Sequence, residues 1–212
     1  MQIEIGFLLG SSQDNGIKEQ QISVPTTLIR YGITKGIELR LQSQYESVKN
    51  NITSVKVEGL SDLEFGTKIQ IFKKENRSTE IAFLSHLVLP TASRKLTNAK
   101  FGTINKFSIS HSLSKSFGIG YNLGYNYFGS GPGDLTYSLA IGIGLFGELG
   151  LYFEPYGEFL NFETHIASFD AGLTYLLQNH IQLDVSLGTG LNHTLNYVAI
   201  GCSINIAKKD RD

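Results

Sequence analysis

The side chains able to do chemistry in this 212-residue chain are its charges and histidines, and they recur at every second position between apolar ones. Glu38 and Arg40 interleave with Ile37, Leu39 and Leu41. Glu64 and Lys68 interleave with Leu63, Phe65 and Ile69, and Glu80 and His86 with Ile81, Phe83 and Leu87. On a β-strand successive side chains project to opposite faces, so each segment has one charged face and one oily face. Opposite charges of one parity on neighbouring strands can pair across the sheet. Glu38, Arg40, Glu64, Lys68, Glu80, His86 and Lys106 are therefore expected to form one charge network lining an interior. Further along, Glu154, Glu158, Asp170 and Asp184 share the polar parity without a basic residue to match. They predict an acidic wall, which would favour cations in any water path beside it.

The same alternation recurs in about twelve segments. The expected strands are Gln2–Gly10, Glu19–Ile33, Ile37–Ser47, Asp62–Lys73, Thr79–Leu89 and Gly102–Leu113, then Phe117–Phe128, Leu135–Phe146, Leu149–Leu160, His165–Leu177, Ile181–Leu191 and Tyr197–Ile206. Short connections, such as Thr34-Lys35-Gly36 and Ser114-Lys115-Ser116, alternate with longer polar ones at Ser11–Lys18, Val48–Ser61, Pro90–Phe101 and Gly129–Asp134. That rhythm places the tight turns and both termini at one end. It predicts an all-β fold: a closed, antiparallel, up-and-down transmembrane barrel of about 12 strands with a polar lumen. Residues 1–206 form the barrel domain and 207–212 a charged C-terminal tail. Alternation alone leaves the oily face free to point inward, as in a soluble ligand-binding barrel. Such barrels usually close with about eight strands, whose side chains fill the lumen. Twelve would enclose an apolar void, so the oily face is expected to meet lipid.

Other features bound the function. A formal charge of −1 argues against a nucleic-acid partner. No stretch approaches the roughly 18 apolar residues of a membrane helix. Met1-Gln2-Ile3-Glu4 already reads as strand, so no secretory leader is visible. Tyr31, Tyr45, Tyr125, Tyr127, Tyr137, Phe159, Tyr175 and Tyr197 fall near strand ends, where an interfacial girdle would sit. Cys202 shares parity with Val198, Ile200 and Ile204 and reads as a small hydrophobe.

Catalysis is not indicated. His86, His111, His165, His180 and His193 are scattered, a spacing that suits no zinc site. No catalytic residue, metal ligand or cofactor is assigned. An outer-membrane phospholipase would carry a serine two residues after a histidine on the outer barrel face, but positions 113 and 167 hold Leu113 and Ala167. The run Gly129-Ser130-Gly131-Pro132-Gly133 is followed by strand-like alternation from Leu135, so it reads as an external loop and not a phosphate cradle.

Three segments in order carry a resemblance: Gln2-Ile3-Glu4-Ile5-Gly6-Phe7; Thr26-Thr27-Leu28-Ile29-Arg30-Tyr31-Gly32-Ile33 leading to Ile37-Glu38-Leu39-Arg40; and Gly59-Leu60-Ser61-Asp62-Leu63-Glu64-Phe65-Gly66-Thr67-Lys68. With them the chain resembles a family of bacterial outer-membrane proteins called "putative MetA-pathway of phenol degradation", which are treated as transporters. The resemblance implies a barrel in the bacterial outer membrane, with lipid and the outer-membrane assembly machinery as partners. The expected function is a passive pore or small-solute transporter, for hydrophobic or aromatic compounds among others, with no catalysis. Two alternatives stand beside it: a plugged structural or surface-binding barrel acting through its external loops, and the soluble ligand-binding barrel.

Overall fold

Apolar alternation with tight turns leaves each segment no partner but its sequence neighbour, and the computed structural model shows that outcome. It describes residues 1–52, 55–73, 78–93, 95–97 and 99–206. Its strands are β1 (Gln2–Asp14), β2 (Ile17–Gly32), β3 (Ile37–Asn50), β4 (Lys56–Leu60), β5 (Leu63–Lys73), β6 (Thr79–Leu89), β7 (Gly102–Ser112), β8 (Phe117–Tyr127), β9 (Asp134–Gly144), β10 (Leu149–Leu160), β11 (Thr164–Leu177), β12 (Ile181–Gly190) and β13 (Thr194–Asn205). Each is antiparallel to its neighbours, and β1 pairs with β13 from Gln2↔Asn205 to Gln13↔Thr194, so the sheet closes on itself. β3 pairs with β4 over residues 45–49 and with β5 over 37–42, so β4 and β5 share one line of the wall. Twelve strands therefore go round the barrel, as expected. The expected tail, 207–212, lies outside the described residues.

The oily face points outward. Leu187 is 66% exposed, Ile200 and Leu123 56% and Phe107 51%, whereas the buried hydrophobic residues are Ala82 and Val88 alone among those described. A soluble protein does not hold so broad a ring of apolar side chains in water. In a bilayer the ring meets lipid tails, and closure pairs the strand N–H and C=O groups that lipid could not satisfy. The soluble, oily-inside alternative is thereby set aside. Cys202 lies on the outer face, in register with Ile5 and Leu183.

The tight turns near 33–36, 113–116, 145–148 and 178–180 share one end with the termini; the connection at 74–77 lies outside the described residues. At the other end two expected loops are strand instead. β1 and β2 stay paired to Asp14↔Ile17, so the Ser11–Lys18 connection shrinks to Asn15-Gly16. Those residues have φ of 47° and 81°, the left-handed pair that a two-residue hairpin turn with matching twist requires. Within Val48–Ser61, β3 continues to Asn50 and β4 returns beside it as a ribbon. The connection near residues 90–101 folds against the inner side of that ribbon. A Cβ on Gly59 would lie 3.3 Å from Ser93 Oγ and 3.6 Å from Leu96. Asp62 ties this connection down, accepting hydrogen bonds from the Ala92 amide and the Thr97 hydroxyl, each at 2.9 Å.

Candidate functional site

A polar lumen must pair or hydrate its charges, because a buried charge without a partner costs several kcal/mol. The pairing found is centred on β1–β3. Arg30 Nη1 lies 2.9 Å from Glu4 Oε1, and Arg30 Nε lies 2.9 Å from Glu38 Oε1. Glu38 Oε1 is also 3.7 Å from Arg40 Nε, giving a chain Glu4–Arg30–Glu38–Arg40 over three strands. Two further pairs stand apart from it. His86 Nδ1 lies 2.9 Å from Glu64 Oε2, and Lys73 Nζ lies 3.1 Å from Glu80 Oε2. Lys68 sits opposite Glu38 in register yet makes no ion pair among the described residues.

On the other wall the small residues have a specific use: large neighbours lie across them. In the register row Asp170–Gly188–Tyr197, a Cβ on Gly188 would fall 2.1 Å from Tyr197 Cε1. The Tyr197 ring therefore crosses the bare glycine, and its hydroxyl donates to Asp170 Oδ2 at 2.5 Å. In the row Tyr152–Gly172–Ser186, the Tyr152 ring crosses Gly172 and reaches the Ser186 side chain. Asp184 leans over Gly201, Lys106 over Gly124, and His86 over Gly66. An alanine methyl at any of these glycines would meet a neighbour's atoms well inside van der Waals distance.

Gly118, Gly120 and Gly142 differ. What a Cβ there would meet is backbone oxygen alone, at 3.5, 3.9 and 4.0 Å respectively. Gly118 pairs with Gly142 across β8 and β9 and Gly120 with Ala140, so these positions form a strip of wall where no side chain comes within 4 Å of a Cβ placed on any of the three glycines. The strip runs toward the tight-turn end. On its loop side lies a cavity of about 350 Å³, lined by Lys106, Asn122, Thr136, Ser138, Glu154, Tyr156 and Asp170.

The family model described as "Putative MetA-pathway of phenol degradation" matches residues 2–206. The chain belongs to that family. Among solved structures, an outer membrane channel from Pseudomonas putida F1 is similar at a TM-score of 0.78 and 12% identity, over 96% of this chain and 94% of that one. The KdgM porin in complex with disordered oligogalacturonate gives 0.67 at 9% identity, over 98% and 100% of the two chains. The CymD monoaromatic hydrocarbon channel gives 0.55 at 11% identity, over 98% and 88%. At these identities the likeness establishes the fold, that of an outer-membrane barrel. No functionally curated protein matches the sequence.

In this member of the phenol-degradation family, the residues expected to line the lumen share one parity in the sheet register, and their grouping differs from expectation. Lys106 belongs with the acidic wall: it lines the same cavity as Glu154 and Asp170, because its stem lies over Gly124 toward Thr136. The wall is therefore not without a basic residue. Glu4 and Arg30, both absent from the expected network, hold its centre; the available signal was a charge set between outward apolar residues, Ile3 and Ile5 around Glu4 and Ile29 and Tyr31 around Arg30. Tyr197 is not part of the girdle but faces inward, in line with Ala199, Gly201 and Ser203. The lumen is also less polar than alternation suggested, since Leu8, Leu28, Leu84 and Ile104 share the inner parity. On the outer face, His111 Nδ1 meets Thr79 Oγ1 at 2.9 Å, and His165 Nε2 meets Tyr137 Oη at 2.6 Å.

Proposed function

We propose that this chain is a passive outer-membrane channel for small solutes, one domain over residues 1–206, working without catalysis. The observation that carries the reading is the uncrossed strip Gly118–Gly120–Gly142, which continues a polar cavity toward the periplasmic end. A plugged structural barrel has no use for a wall left bare along one line while the glycines around it are roofed by tyrosine, lysine or aspartate. On the inner face, Glu4, Glu38, Glu46, Glu64, Glu80, Glu154, Glu158, Asp170 and Asp184 outnumber Arg30, Arg40, Lys68, Lys73 and Lys106, so the lumen attracts cations. The outward histidines support the non-catalytic reading, because their hydrogen-bond partners are threonine and tyrosine and not a serine nucleophile. Reversal potentials across a planar bilayer under a KCl gradient test the proposal. Preference for potassium over chloride is expected; chloride preference would overturn the assignment of the acidic wall.

A further inference from the structure

On the outer face of β1–β4 the side chains change from apolar to basic within two residues. Leu9, Ile22 and Leu60 face out at 44%, 39% and 61% exposure, with Leu9 opposite Ile22 in register. Two positions further toward the loop end, Gln20, Lys49 and Lys56 share one row, and Lys18 follows on β2. At about 3.3 Å per residue, Gln20 and Lys49 lie about 7 Å along the strand from the last apolar row, and Lys18 about 13 Å. The same step continues on β13 and β12, where Val198 and Leu187 end the oily belt and Asn196 and Thr189 follow, but there the polar row is uncharged. Lys56 pairs with Glu58, whereas among the described residues no carboxylate oxygen lies within 4.0 Å of the Lys18 or Lys49 ammonium. Glu19, beside Lys18 in sequence, has the opposite parity and meets Asn50. Lys18, Gln20, Lys49 and Asn51 line an open cleft of about 290 Å³. Asn51 Oδ1 accepts from the Lys18 amide at 2.8 Å and the Asn51 amide donates to the Lys18 carbonyl at 2.9 Å, so Asn51 Nδ2 remains a donor for another group. Like charges on neighbouring strands repel, and an anion between them removes the repulsion.

We infer that this cleft seats the phosphate of an anionic lipid of the outer leaflet. The ammonium groups of Lys18 and Lys49 and the side-chain amides of Gln20 and Asn51 would donate to the phosphate oxygens, and the acyl chains would lie below, against Leu9, Ile22 and Val198. Charge-assisted hydrogen bonds to phosphate are the strong ones, and lysines at a membrane surface each add to the attraction for anionic headgroups. The occupant is a lipid and not a free anion because the cleft opens on the side of the wall away from the lumen, directly over the oily belt. A solute crossing the lumen does not meet it, whereas a headgroup at the edge of the belt is held against it. The site needs the barrel in its bilayer but not an open lumen, so it stands independently of the channel reading.

The test is native mass spectrometry of the detergent-folded full chain, titrated with diphosphoryl lipid A, with its dephosphorylated form and with inorganic phosphate. Diphosphoryl lipid A should bind about tenfold or more tighter than the dephosphorylated form, the scale of two lysines at an anionic lipid surface. Lys18→Gln with Lys49→Gln should remove that preference, and Lys18→Arg with Lys49→Arg should keep it. Lys35→Gln with Lys115→Gln, which removes the same charge at the tight-turn end, should leave it unchanged. All four lysines are exposed, so the variants should fold, and heat-modified gel migration checks that they do. Equal binding of the two lipids, or a preference that survives in the Lys18→Gln and Lys49→Gln variant, would overturn the site. Displacement of the lipid by inorganic phosphate at equal concentration would make the cleft a site for free anions and defeat the lipid as its occupant. A barrel that keeps the phosphate preference yet passes no current would support this site while defeating the channel.

Discussion

Replacing Gly188 by alanine tests whether the small residues of the lumen are beds for larger side chains. The added methyl would sit 2.1 Å from Tyr197 Cε1, more than an ångström inside normal contact, so the ring must swing off its bed. Swinging breaks the Tyr197–Asp170 hydrogen bond and leaves both Asp170 oxygens without a protein partner. A hydrogen bond to a charged group is worth about 1.5–3 kcal/mol, and lumen water returns part of that. Overpacking costs about 1–3 kcal/mol, against which alanine in a strand regains about 0.5–1 kcal/mol over glycine. The net expectation is destabilisation by about 2 kcal/mol. Gly120→Ala is the matched control, because its nearest atom is a backbone oxygen at 3.9 Å; there stability should rise by about 0.5 kcal/mol. Reversible urea unfolding in lipid vesicles, followed by tyrosine fluorescence, measures both. Equal stability of the two alanine variants would refute the reasoning.

Other perturbations address the faces and the charges. Leu41→Arg places a cation against lipid and should cost about 2–4 kcal/mol in the same assay, whereas Gln42→Ser on the inner face should stay within about 0.5 kcal/mol. Glu38→Ala leaves Arg40 without its carboxylate and Arg30 with Glu4 alone, for a loss of about 2–3 kcal/mol. Asp184→Asn combined with Glu154→Gln should move the reversal potential toward zero without abolishing conductance.

Strand number, closure and the parity of nearly every wall residue were readable from the sequence, because a period of two is a local property that a bilayer and a closed sheet reinforce together. The Asn15-Gly16 turn was equally local, but the polarity of Ser11–Lys18 masked a ribbon that simply extends beyond the membrane. The grouping of lumen charges was not readable. Parity says that Lys106 points inward, but only strand stagger and the bare surface of Gly124 decide that it leans toward Thr136 and the acidic wall instead of toward Lys68 and Glu80. Whether a glycine is bare or roofed depends on the residue one strand away, as Gly188 under Tyr197 and Gly120 under nothing illustrate.

The most direct test of the channel is single-channel conductance in planar bilayers of the wild-type barrel against Gly120→Phe combined with Gly142→Phe. Both substitutions add bulk where no side chain now stands, so the variant should fold, and its conductance should collapse while the wild type passes a small steady current. Silence from correctly folded wild-type protein, or an unchanged current in the variant, would contradict a solute path along β8 and β9.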